Sequence, residues 1–168
     1  MSFSSQKDAS HKDVFSAFCE SLKNLKELKS LEFNAISSNF SENSLIQLSN
    51  ALPNLDSLAL NCSGHYNELI SESVLKQFFG SLVGLKSLSH LELCIFCEIM
   101  NDECSKILVG SFLDIESLNC LRINLCALKY ELNDWAYSRK QTQKLGEKIT
   151  NVTLSIGPCK YPFSLLWI

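Results

Sequence analysis

The chain has 168 residues, 46% hydrophobic and 20% charged, a balance that supports one globular domain with a sizeable buried core. A formal net charge of −3 gives no general attraction to phosphate backbones or anionic lipid, so neither nucleic acid nor a membrane surface is an expected partner. No apolar run approaches the ~18 residues of a membrane span. The opening Met1-Ser2-Phe3-Ser4-Ser5-Gln6 lacks the order of a secretory signal, and a soluble cytoplasmic protein is the expectation.

Residues 1–12 are polar and expected to be frayed. Val14, Phe15, Phe18, Leu22 and Leu25 then recur at three- and four-residue steps, the stripe of an amphipathic helix, and Leu28-Leu31-Phe33 ends in the alternation of a short strand. A triplet follows, Phe40-Ser41-Glu42, and it returns thirty residues later as Ile70-Ser71-Glu72 and again as Met100-Asn101-Asp102. In each, the apolar residue closes a loop onto the core, the Ser or Asn caps a helix through its free first-turn N–H groups, and the acid sits at the positive end of the helix dipole.

Apolar residues recur at fixed steps from each triplet: Leu48, Phe78 and Leu108; then Leu52, Leu82 and Phe112; then Leu55, Leu85 and Ile115; then Leu58, Leu88 and Leu118. Such a period marks a stack of structural units, and it predicts that Leu58, Leu88 and Leu118 align in adjacent layers. Each helix gives way to Leu-x-x-Leu-x-Leu, at Leu55-Leu58-Leu60 and Leu88-Leu91-Leu93, and in looser form at Leu118-Leu121-Ile123 and Ile149-Val152-Leu154. The second unit places its strand three residues early, after the stop signal Pro53, and regains the period through a longer loop from Asn61 to Leu69. The last helix is expected over about Trp135 to Gly146, and residues 158–168 form an apolar tail or cap.

These residues resemble the leucine-rich-repeat family, most closely its ribonuclease-inhibitor-like branch, over roughly residues 14–156. The resemblance implies an α/β solenoid of about five repeats spanning 13–157, with an inner parallel β-sheet and outer helices. It also implies a protein-binding role. The family's Asn or Cys three residues past the last strand leucine is present only as Cys126; Ile36, Ser63, Phe96 and Gly157 stand elsewhere.

Strand leucines that point inward leave the residues between them pointing out. The outward rows are then Ser30, Glu32 and Asn34; Ser57, Ala59 and Asn61; His90, Glu92 and Cys94; Cys120, Arg122 and Asn124; and Asn151, Thr153 and Ser155, with Glu92 and Arg122 as neighbours. From these, Ser30, Glu32, Asn34, Ser57, Asn61, His90, Glu92, Arg122, Asn124 and Thr153 form the expected partner-binding set.

Chemistry has thinner support. His90, Glu92 and Cys94 on one strand face are the nearest approach to a nucleophile site. Cys62, His65, Cys94 and Cys97 form two ligand-spaced pairs of the kind zinc uses, although Cys62 should face the core while Cys94 faces out. The eight cysteines lie mostly in apolar patterns and read as reduced thiols. Six dispersed glycines make no phosphate loop, and no cofactor is implied. Arg122 and Arg139 are the only arginines, and neither stands in a post-strand loop as GTPase activation of the ribonuclease-inhibitor-like type requires. The cluster Arg139, Lys140, Lys144 and Lys148 reads as a solvated helix face. The chain is therefore expected to be a non-enzymatic protein-interaction module acting through its concave strand face. The alternative is a structural or substrate-adaptor fragment of a larger repeat protein, of ubiquitin-ligase-adaptor or GTPase-regulator type.

Overall fold

A computed structural model describes residues 7–35, 40–52, 54–63, 69–131 and 135–158. Helices and strands alternate: α1 (Lys7–Asn24), β1 (Ser30–Asn34), α2 (Glu42–Ala51), β2 (Ser57–Cys62), α3 (Glu72–Leu82), β3 (His90–Asn101), α4 (Asp102–Asp114), β4 (Cys120–Glu131), α5 (Trp135–Lys148) and β5 (Asn151–Pro158). The strands form one parallel sheet in the order β1-β2-β3-β4-β5. A strand returning in parallel beside its predecessor needs a crossover, and right-handed crossovers in chain order put all helices on one face. Each helix accordingly packs on the next, leaving a two-layer α/β arrangement.

The core lies between the layers. Leu45 and Leu48 of α2, Leu75, Phe78, Phe79 and Leu82 of α3, and Leu108 and Phe112 of α4 are buried against strand residues Leu58, Leu60, Leu91, Leu93, Leu121 and Ile123. At the β1 end, Phe15, Phe18, Phe33 and Phe40 pack ring against ring, with centroids 5.6–5.8 Å apart.

The leucines spaced three apart between helix and strand have a backbone cause. Leu25 N–H bonds the Leu22 carbonyl and Leu28 N–H that of Leu25; Leu85 bonds Leu82, Leu88 bonds Leu85 and Leu118 bonds Ile115 in the same way. Successive i to i−3 turns bring every third side chain to the same side, as in a 3₁₀ helix. A second regularity marks each strand's start. The carbonyls of Lys29, Asp56 and Ser89 each accept two N–H groups from the following unit, Asp56 and Ser57, Ser89 and His90, and Asn119 and Cys120.

The register corrects one expectation. Leu58 stands beside Leu91, and Leu91 beside Leu121, so Leu58, Leu88 and Leu118 do not align. Fifteen residues separate Glu42 from Ser57, against eighteen from Glu72 to His90 and from Asp102 to Cys120. The second unit lacks the turn that Leu85 and Ile115 provide, so Leu55 is the residue equivalent to Leu88 and Leu118, two positions before its strand. All three are buried.

Three further points differ from the sequence reading. α1 begins at Lys7, inside the stretch expected to be frayed. β3 and β4 are twelve-residue strands rather than short ones. After Leu93 the run Cys94-Ile95-Phe96-Cys97 is apolar and has no turn former, and Ile70 bridges to it by exchanging backbone bonds with Phe96 and Glu98 (3.1 and 2.9 Å). With Ile70 on one edge and β4 on the other, the ladder continues to the next helix cap. Finally, Ser71 stands at the α3 N-cap with extended backbone but makes no side-chain cap bond; its hydroxyl pairs with that of Ser73. Ser41 and Asn101 do cap, accepting from the N–H groups of Ser44 (3.2 Å) and Cys104 (2.8 Å). No helix among the described residues is long and apolar enough to cross a membrane. The tail beyond Pro158 lies outside the described residues.

Candidate functional site

The sheet face turned away from the helices collects the outward rows into three ranks. Register places Ser30, Ser57, His90, Cys120 and Asn151 in the first, Glu32, Ala59, Glu92, Arg122 and Thr153 in the second, and Asn34, Asn61, Cys94, Asn124 and Ser155 in the third. Parallel strands about 4.8 Å apart make each rank a line of close neighbours. Ser30, Glu32, Asn34, His90, Glu92, Arg122, Asn124 and Thr153 are exposed, and Ser57 and Asn61 are half-buried. All ten residues of the expected binding set therefore lie on one face.

Within these three ranks, charge is confined to the second. Arg122 Nη1 lies 3.8 Å from Glu92 Oε2, and the two side chains are 65% and 54% exposed. A long, solvated ion pair of this kind holds its partners weakly, which leaves both groups able to exchange.

His90 is held through its Nδ1 atom. The Ser89 hydroxyl donates to the Asp56 carbonyl (3.0 Å) and lies 2.8 Å from His90 Nδ1. A hydroxyl has one proton and a carbonyl only accepts, so Nδ1–H is the donor to Ser89.

Cys94 departs from expectation. It sits in an outward register position, yet it is 8% exposed, and the side chains of Ser63 and Asn124 hydrogen-bond to it. Burial, above all, pushes its thiol up, and a protonated thiol is a poor nucleophile. Ser63 is itself fixed, since its N–H and hydroxyl both donate to Asn61 Oδ1 (3.2 and 2.7 Å). Asn124 Oδ1 also lies 3.9 Å from Cys126 Sγ. Asn61, Ser63, Cys94, Asn124 and Cys126 thus form one hydrogen-bonded chain across β2, β3 and β4.

Among the described residues, the cysteines of the ligand-spaced pairs do not converge. Cys62 pairs in register with Ile95 on the core side, where burial raises its pKa far above the ordinary thiol value, whereas Cys94 is on the opposite side. The Cys97 thiol is directed at the Cys126 carbonyl, 3.6 Å away, and His65 lies outside the described residues. Among the described residues no group of three or more His, Cys, Asp and Glu is arranged to hold a metal ion.

One set of contacts has no counterpart in the sequence reading. Glu42, expected only at a helix dipole, also accepts the backbone N–H of Ser71, and Glu72 Oε2 accepts from Asn101 Nδ2 (3.1 Å). Lys76 bridges Glu72 (2.7 Å) and Glu103 (2.8 Å). Glu42 and Glu72 therefore each reach the cap residue of the following helix and tie one unit to the next. The signal was the spacing of twenty-nine residues between acid and next cap, which repeats twice. No protein family, curated protein or solved structure matches the chain.

Proposed function

We propose that this chain is a leucine-rich-repeat solenoid of five units and a non-enzymatic recognition module that binds a protein partner through the sheet face opposite its helices. The observation that carries this reading is the register, which gathers the polar residues between the strand leucines into three continuous ranks. Small and polar residues dominate these ranks, and a sheet presents them on fixed backbone. A binding surface built that way loses little conformational freedom on association.

The half-exposed Glu92–Arg122 pair is the place to test it. Proteins captured from the native host by the wild-type chain and lost with Glu92→Lys/Arg122→Glu support the reading. The variant must unfold at the same urea concentration as the wild type. A set of captured proteins identical for both chains contradicts it.

A further inference from the structure

We infer that the partner segment seated on this face is an α-helix lying across the strands, with a basic and an acidic side chain two turns apart. This inference rests on the proposed binding role and specifies its partner. The dimensions support it. Three ranks on alternate strand residues span about 13 Å, close to the 10–12 Å diameter of a helix with its side chains. Five strands span about 19 Å, the length of about thirteen helical residues.

Charge supplies the register. Glu32 and Glu92 flank Ala59 in the second rank, one strand to either side. Ala59 is half-buried and short, so the two carboxylates border a shallow dip floored by a methyl group. A Lys or Arg entering that dip has an acid on each side, and its alkyl stem rests on Ala59. Arg122 stands two strands from Ala59 in the same rank, about 10 Å away, and 65% exposure leaves its guanidinium open to a carboxylate. A helix places residues i and i+7 on one side about 10.5 Å apart. The order base then acid in the partner thus matches acid, acid, base across β1, β3 and β4. An extended strand laid in the same direction rises about 3.3 Å per residue and alternates its side chains, so it brings no two same-side residues to this separation closely.

The test uses a displayed library of a stable helical scaffold with one face randomised, selected on the 168-residue chain and counter-selected on Glu92→Lys/Arg122→Glu. The clones that distinguish the two proteins are expected to carry Lys or Arg and Asp or Glu seven positions apart, to bind the variant at least tenfold more weakly, and to lose affinity as salt rises. Distinguishing clones with another charge spacing, or with no charge pair, overturn the crossing geometry and leave the face as a binding surface. A library in which no clone distinguishes the two proteins overturns both the geometry and the binding role.

Discussion

Leu93 on β3 and Leu154 on β5 are the same residue type at the same register position, separated by Ile123 of β4. Leu93 is 1% exposed, whereas Leu154 is only half-buried. At the other end Leu31 and Phe33 of β1 are also half-buried, while Leu58 and Leu60 beside them on β2 are 1% exposed. The difference lies in the neighbours. An inner strand is flanked on both sides, but among the described residues β1 and β5 are paired on one side only. In a stack where each unit touches only its neighbours, stability is a sum of such interfaces, and it is concentrated in the middle.

The largest expected effect follows directly. Leu93→Ala should cost about 2–5 kcal/mol of unfolding free energy, the range for a fully buried leucine, and Leu154→Ala less than half of that. Urea titrations of both variants measure it. Equal losses would show that the outer strand is as well covered as the inner one.

Alkaline pH probes the same inner region. Burial raises the thiols of Cys62 and Cys94, and pushes Cys104 from an ordinary value of 9.0 up to about 11. Between those two pH values the unfolded chain releases the Cys104 proton while the folded chain retains it. The unfolded state then binds fewer protons, and stability falls as pH rises, by up to about 1.4 kcal/mol per pH unit for each such thiol. Urea midpoints at pH 7.5 and 10 should separate in the wild type and draw closer in Cys104→Ala. An unchanged separation would remove Cys104 as a source.

The helix caps give a smaller contrast. Asn101→Ala removes a cap bond and a donor to Glu72 and should cost about 1 kcal/mol, whereas Ser71→Ala loses no cap bond and should stay within about 0.5 kcal/mol. Smallest is Lys76→Gln, which breaks two partly exposed ion pairs. Its effect on the thermal midpoint should vanish when salt is raised, because surface pairs are screened.

Much of this arrangement was legible in the sequence because two periods separate cleanly. Steps of three and four from Phe15 to Leu22 mark a helix, and the alternation Leu91-Glu92-Leu93 marks a strand with one wet face. The same alternation placed Glu92 beside Arg122, since the two strands begin equally far from their leucines. Local pattern does not carry the rest. The contacts that Cys94 makes with Ser63 and Asn124 lie across neighbouring strands, on the β2 and β4 sides. The length of β3 and β4 depends on Ile70, which arrives from a loop to complete the edge. The shift of Leu58 by one turn was visible as an early strand, but only pairing fixes which leucine it meets.

The proposed role turns on which surface a partner uses, and paired charge reversals decide it. With one captured partner purified, its affinity is measured for Glu92→Lys/Arg122→Glu on the sheet face and for Lys144→Glu at an exposed position of α5. A loss of at least tenfold for the first and less than twofold for the second is the expected result. Equal losses, or a larger loss for Lys144→Glu, would place recognition away from the ranks between the leucines and contradict the proposal.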